Sequence, residues 1–195
     1  MNPNTRIDKI SLINFKNHLN TSLKDLGSFV VLNGNNGSGK TNILEAISLF
    51  SPGRGIKNSR FVEMPNKDRD QKNFEIKVNV KYDTGEVELF RSFSSVEKNK
   101  NYISVDNEKI TNFQLLEFIN ILWITPIIEK VLIQSNSEKR NFFDRLIFNI
   151  NKSHLKNYSK LQKLLSERLA LLKEKKYDTD WLIIVEKNIA NLSVR

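Results

Sequence analysis

The residues whose types and spacing could do chemistry stand together at 34–41: Gly34, Asn35, Asn36, Gly37, Ser38, Gly39, Lys40 and Thr41. Gly34, Gly39, Lys40 and Thr41 satisfy G-x-x-x-x-G-K-[ST], the pattern of a P-loop. A polyphosphate needs several donors on a short arc, and backbone N–H groups provide them only where no Cβ blocks the approach. The start of a following helix adds unpaired N–H groups and about half a positive charge. In that arrangement Lys40 reaches the β- and γ-phosphates of ATP. The Thr41 hydroxyl ligates Mg²⁺, which keeps water and phosphate oxygen as its other ligands. A glycine-rich turn that binds nothing is the competing reading, and the flanking segments argue against it.

Those flanks have to be a strand and a helix. Phe29-Val30-Val31-Leu32 has the length of a buried strand. Apolar residues at 43, 44, 47 and 50 give the one-sided spacing of a helix packed on a sheet. Asn36 and Asn42 fall in the same pocket, where either nucleotide contact or structural hydrogen bonding would explain them.

The 195 residues suffice for one sizeable α/β domain, or one and part of another. With 39% hydrophobic and 27% charged residues, the composition is that of a soluble globular protein. No apolar run has the length of a membrane span, and the first fifteen residues lack the apolar core of a secretory signal. There are no cysteines, which excludes disulfide frameworks and cysteine metal sites and fits a reducing compartment. His18 and His154 lie far apart without ligand-like spacing and read as surface residues. The formal charge of +9 suits a polyanionic partner such as DNA, although the basic residues are spread along the chain.

Around the loop, residues 7–15 read as a strand, and 17–25 as a turn and second strand. Ser51-Pro52-Gly53-Arg54-Gly55 stops the helix, and 57–72 is a polar loop. Phe74, Ile76, Val78, Val80 and Tyr82 alternate with polar neighbours on a third strand, followed by a turn at 83–85 and a fourth strand over 86–94. Residues 102–105 and 108–111, joined at Asp106-Asn107, predict a further hairpin. A short helix over 113–119 and a buried strand over 121–125 complete this part. Beyond Pro126 the pattern is helical. Ser135 and Glu138 form a capping box ahead of a helix with Phe142, Phe143, Leu146, Ile147 and Ile150 inward. A long helix over 154–176 carries a stripe of Leu155, Tyr158, Leu161, Leu165, Leu169 and Leu172. Asp180 caps a last helix with Trp181, Val185, Ile189 and Leu192 on one face. The two helices in succession suggest an antiparallel pair.

These pieces resemble a family. The segments LINFKN at 12–17, LNGNNGSGKTNILEAISLF at 32–50, PGRG at 52–55, WITP at 123–126, KRNFFDR at 139–145 and YSKLQKLLSERLALLKE at 158–174 are similar, in order, to the N-terminal half of the RecF family. That resemblance implies an α/β fold: an ABC/SMC-type P-loop ATPase head with a mixed sheet carrying an antiparallel layer. It implies a P-loop lobe over 1–125, lacking its later strands, and a helical lobe or antiparallel arm over 126–195 within which the chain stops. Lys16 stands where the family usually has the arginine of its N-F-R-N segment, which in related heads reaches the nucleotide. Lysine keeps the charge there but not the planar fork. The basic, aromatic 139–145 segment would either touch DNA or a partner, or bury Phe142 and Phe143 and tie Asp144 and Arg145 into the domain.

The implied function is that of a cytoplasmic DNA replication and repair protein. It would bind single-stranded and gapped or junction DNA under control of ATP and Mg²⁺, form an ATP-dependent homodimer, and work with RecR- and RecO-type partners to load recombinase, with a part in the SOS response. The Walker B acid pair and the signature segment of such ATPases are not in the sequence. Leu182-Ile183-Ile184-Val185-Glu186 lacks the aspartate and recurs at helical spacing. A non-hydrolysing nucleotide-binding fragment, or another SMC-like ATPase, is the alternative.

Overall fold

The computed structural model describes residues 5–70, 72–97, 99–112, 114–126, 136–173 and 178–193. The chain divides into two compact units, Met1–Ile124 and Thr125–Arg195. The first is built on a six-stranded antiparallel sheet in the order β2-β1-β3-β4-β5-β6. Its strands are β1 (Arg6–Phe15), β2 (His18–Leu23), β3 (Asn73–Tyr82), β4 (Gly85–Ser94), β5 (Lys100–Val105) and β6 (Glu108–Lys109). The helix α1 (Lys40–Ser48) packs beside it.

Period-two alternation explains the register. On β3, Phe74, Ile76, Val78 and Val80 are all buried, while Glu75, Lys77 and Asn79 face outward. Across the β3–β4 ladder Val78 pairs with Leu89 and Phe74 with Phe93. The β5–β6 turn holds Asp106 and Asn107 at φ 47° and 70°, the left-handed pair that a tight hairpin requires. Inward from the sheet, Phe74 lies between Phe15, at 5.3 Å and edge-on, and stacked Phe93 at 5.9 Å. Phe61 completes the cluster from a single 3-10 turn, Phe61–Glu63, so the 57–72 loop contributes to the core; Met64 is fully buried as well.

Arg91 of β4 shares this inner face. It is 1% exposed, donates through Nη2 to Asn112 Oδ1 at 2.6 Å and lies over the Phe61 ring. Its Nε and Nη1 have no hydrogen-bond partner among the described residues. Burial pulls the guanidinium down to about 10.

Two expected strands are not formed. Residues 29–32 and 121–125 carry no ladder, and Phe29, Val31 and Ile124 are 85%, 71% and 80% exposed. No described strand lies alongside either segment to accept its backbone, so apolar content alone does not bury them. A cavity of about 330 Å³, lined in part by Ile7, Leu26, Val30, Leu32 and Ile47, opens between β1, the 26–32 segment and α1. The short helix expected over 113–119 is a 3-10 turn, Gln114–Glu117.

The second unit holds α2 (Asn136–Ile150), α3 (Lys152–Lys173) and α4 (Thr179–Ser193). Ser135, expected as the cap, lies outside the described residues, as do the side chains of Glu138, Arg145, Ile150 and Leu155. Phe143 and Ile147 are about half and a third exposed rather than inward, while Phe142 and Leu146 are half-buried. Asp144 accepts from His154 Nε2 at 3.0 Å and pairs with Arg140 at 3.8 Å. On α3 the inward line is Leu161, Leu164 and Leu171; Leu165, Leu169 and Leu172 of the expected stripe are exposed. Both lines follow helical spacing, and docking against α4 selects one. On α4, Val185 is buried and Leu182, Ile189 and Leu192 are half-buried beside it. Trp181 is half-exposed, with its indole N–H donating to Glu167 at 2.9 Å. The cap of α4 is Asp178, whose Oδ1 accepts from the Asp180 and Trp181 amides, so Asp180, the residue expected as the cap, is the second residue of the helix.

Candidate nucleotide-binding site

The P-loop leaves the exposed 29–32 segment and enters α1. Asn33 Oδ1 accepts the Gly34 amide at 2.8 Å, and a turn closes from the Ser38 amide to Asn35 O at 3.2 Å. Gly34, Gly37 and Gly39 have φ of 151°, 82° and 97°, left-handed values that a side chain would strain. Gly39 is the N-cap of α1, and its carbonyl accepts the Asn42 and Ile43 amides. The backbone amides of Asn35, Asn36 and Gly37 have no backbone partner among the described residues, and those of Lys40 and Thr41 begin the helix, where no intrahelical acceptor exists. This is the donor array that a phosphate chain needs.

Lys40 does not extend freely into solvent. Its ammonium donates to Gly34 O at 2.6 Å and Asn35 O at 2.8 Å, arching back over the loop. The Thr41 side chain is exposed at the first turn, and Asn36 and Ser38 are exposed on the loop.

Lys16 and Asn42 are both brought to this corner, already engaged. Lys16 Nζ donates to Glu63 O at 3.2 Å and lies 3.7 Å from Glu45 Oε1. Asn42 donates to Asn17 Oδ1 at 2.8 Å and accepts from Lys57 Nζ at 2.9 Å. Lys57 Nζ also lies 3.0 Å from Glu45 Oε2. Glu45, on the inner side of α1, is fully buried between these two ammonium groups. Nothing in its surroundings in the sequence singled it out, because an acid in the middle of an amphipathic helix ordinarily faces water.

His18 was missed for a related reason. It is buried at 7% exposure, with Nε2 3.1 Å from Gly39 O and Nδ1 2.9 Å from Thr21 Oγ1. Asn17 beside it donates to Gly37 O at 3.0 Å. A histidine at the first position of an edge strand carries no local signal of burial; the approach of the P-loop, distant in sequence, creates it. Residues 182–186 lie inside α4, which excludes them as a Walker B strand.

A phosphate-type loop opening a helix beside an antiparallel sheet defines a P-loop head of the ABC/SMC type. The chain belongs to the AAA domain family, whose model matches residues 9–193. It is similar to the DNA replication and repair protein RecF of Rickettsia prowazekii (strain Madrid E), 34% identical over 190 residues that make 97% of this chain and 52% of that protein. RecF of Rickettsia bellii (strain OSU 85-389) is 33% identical over 93% of this chain and 49% of its own length. Among solved structures, the recombination mediator protein RecF-ATP in the RecFOR pathway superposes with a TM-score of 0.85 at 25% identity, over 98% of this chain and 52% of that one. A structure described by ATP-driven dimerization and DNA-stimulated activation of SMC ATPases shares the fold, with a TM-score of 0.53 at 22% identity over 72% of this chain and 98% of that one. The chain spans about half the length of the curated relatives it matches. No described helix is long and apolar enough to cross a membrane.

Proposed function

We propose that this chain binds ATP through residues 34–41 and serves a RecF-type role in DNA replication and repair. The observation that carries the reading is the P-loop itself: amides of 35–37 and of the first turn of α1 without backbone acceptors, with Lys40 poised over the same arc. The similarity to RecF proteins over nearly the whole chain supports the biological role.

On this reading the amides and Lys40 hold the β- and γ-phosphates, and Lys16 and Asn42 line the edge of the pocket. Mg²⁺ fits the donor set in part. The exposed Thr41 hydroxyl offers one hard oxygen, and no group of three or more acids or histidines among the described residues could enclose an ion. Mg²⁺ bound there would keep mostly water and phosphate ligands and neutralise charge on the phosphates. Hydrolysis needs further acids to hold the metal and orient water, so binding, not turnover, is the activity assigned to these residues.

DNA is the proposed partner, single-stranded or gapped, through nucleotide-dependent association of two heads in the cytoplasm, with RecR- and RecO-type proteins assisting recombinase loading. The test has two stages. Calorimetric titration with MgATP gives saturable heat at one site per chain; a flat trace from folded protein overturns the reading. Fluorescence anisotropy with gapped DNA then gives tighter binding with ATP than with ADP and a steep loss of affinity as salt rises. Nucleotide-independent, salt-insensitive binding removes the DNA part alone.

A further inference from the structure

We infer that the β1–β2 turn is a clamp on the P-loop, with Asn17 and His18 as positioning residues for polyphosphate binding; the inference rests on the nucleotide reading above. The two side chains hold successive glycine carbonyls, Gly37 O by Asn17 Nδ2 and Gly39 O by His18 Nε2. A peptide unit is planar and trans, so its C=O and the next N–H point in opposite directions. Fixing Gly39 O toward the hairpin therefore aims the Lys40 amide away from it, toward the open side of the loop. Fixing Gly37 O holds the Ser38 amide against Asn35 O and with it the 35–38 turn. Glycine peptides rotate more freely than others, and these two fastenings select one orientation at the points that matter.

The clamp is itself rigid. A carbonyl only accepts, so His18 Nε2 carries a proton and donates to Gly39 O, and in the neutral ring Nδ1 is then the acceptor for the Thr21 hydroxyl. Both ring nitrogens are committed and the ring is closed to water. Lys16, at the turn, is held at φ 51° in the left-handed region, a strained choice for a residue that is neither glycine nor asparagine. The strain is offset by anchoring on the far side: the Lys16 amide donates to Met64 O at 2.7 Å and Asn66 Nδ2 donates to Lys16 O at 2.7 Å. The fit is close enough that a Cβ on Gly39 would come within 2.4 Å of His18 Nε2 and 2.7 Å of Asn17 Oδ1. Gly39 is thus required by the hairpin as well as by its own φ.

The experiment compares His18→Gln with His18→Asn, using MgATP and inorganic tripolyphosphate as titrants on the full chain. Glutamine places its amide nitrogen near the Nε2 position and retains the donor to Gly39; asparagine is too short to reach. His18→Gln is expected to bind both titrants within about twofold of the wild type, and His18→Asn about tenfold more weakly, one hydrogen bond's worth. Both lose the ring's packing, so their melting temperatures without ligand fall together. Equal affinities in the two variants overturn the clamp, while a wild type that binds neither titrant overturns the nucleotide reading instead. Should both histidine variants fail to fold, Asn17→Ala decides. Asn17 is exposed, and its loss is expected to weaken tripolyphosphate binding several-fold at unchanged melting temperature; unchanged affinity sinks the proposal.

Discussion

Val78 and Val80 on the alternating β3, and Val30 and Val31 in the continuously apolar run before the P-loop, are the same residue type with opposite fates. The β3 pair is fully buried between two ladders, whereas Val30 and Val31 are 45% and 71% exposed. Phe74 at 1% and Phe29 at 85% repeat the contrast with a larger side chain. Apolar composition makes burial favourable, but a strand is buried only where other strands satisfy its backbone and other side chains cover its faces. The sheet supplies both to β3 from β1 and β4. Residues 29–32 and 121–125 have no ladder among the described residues; Phe29, Val30, Val31, Leu122 and Ile124 remain in water, and only Leu32 and Ile121 pack partly against the core.

The contrast is broken most directly by placing a charge at each kind of site. Val78→Asp buries a carboxylate with no partner and is expected to unfold the first unit, a loss of more than about 4 kcal/mol. Val31→Asp is expected to change stability by less than about 0.5 kcal/mol, as at other surface positions. Urea denaturation followed by circular dichroism checks both, and similar losses would mean that 29–32 is buried in solution. Gly39→Ala comes next, at about 1–3 kcal/mol from its left-handed φ and the approach of His18. Nucleotide titration of this variant is expected to show lost binding.

Arg91→Met sharpens the comparison from inside the sheet and is expected to raise stability by about 1 kcal/mol, because it removes a buried charge without a carboxylate. The sign of the pH effect follows from the lowered pKa. The unfolded guanidinium binds its proton more tightly than the folded one, whose burial brings it down to about 10. The penalty is therefore fully present at neutral pH and relieved only as pH rises above about 10. The smallest effect is expected at Arg168→Ala, where the exposed pair with Glu186 at 2.8 Å is worth about 0.2–1 kcal/mol. A double-mutant cycle with Glu186→Ala isolates it.

Legibility followed range. The hairpins of β3 to β6 could be read because alternation and the Asp106-Asn107 turn are local. The P-loop and α1 were equally plain, since glycine spacing and helical period are local as well. The 29–32 run reads as a buried strand but forms none, because that fate depends on strands elsewhere. On α3, Leu164 and Leu165 are adjacent leucines, and only the docking of α4 separates the inward from the outward one. His18 and Glu45 show the same limit in polar form: each is buried by a segment distant in sequence, the P-loop for His18, and the Lys16 and Lys57 segments for Glu45.

The resting contacts of Lys40 bear on which ligands the loop can admit. Its ammonium already satisfies two carbonyl oxygens, so an incoming anion competes with the protein's own backbone and must offer more than they do. A nucleoside brings no charge to that contest, and a monophosphate brings a single group. A linked di- or triphosphate presents several oxygens at once and can displace both carbonyls in one motion. Selectivity for longer phosphate chains would then arise from the loop's hold on its own lysine, before any contact with the base is made.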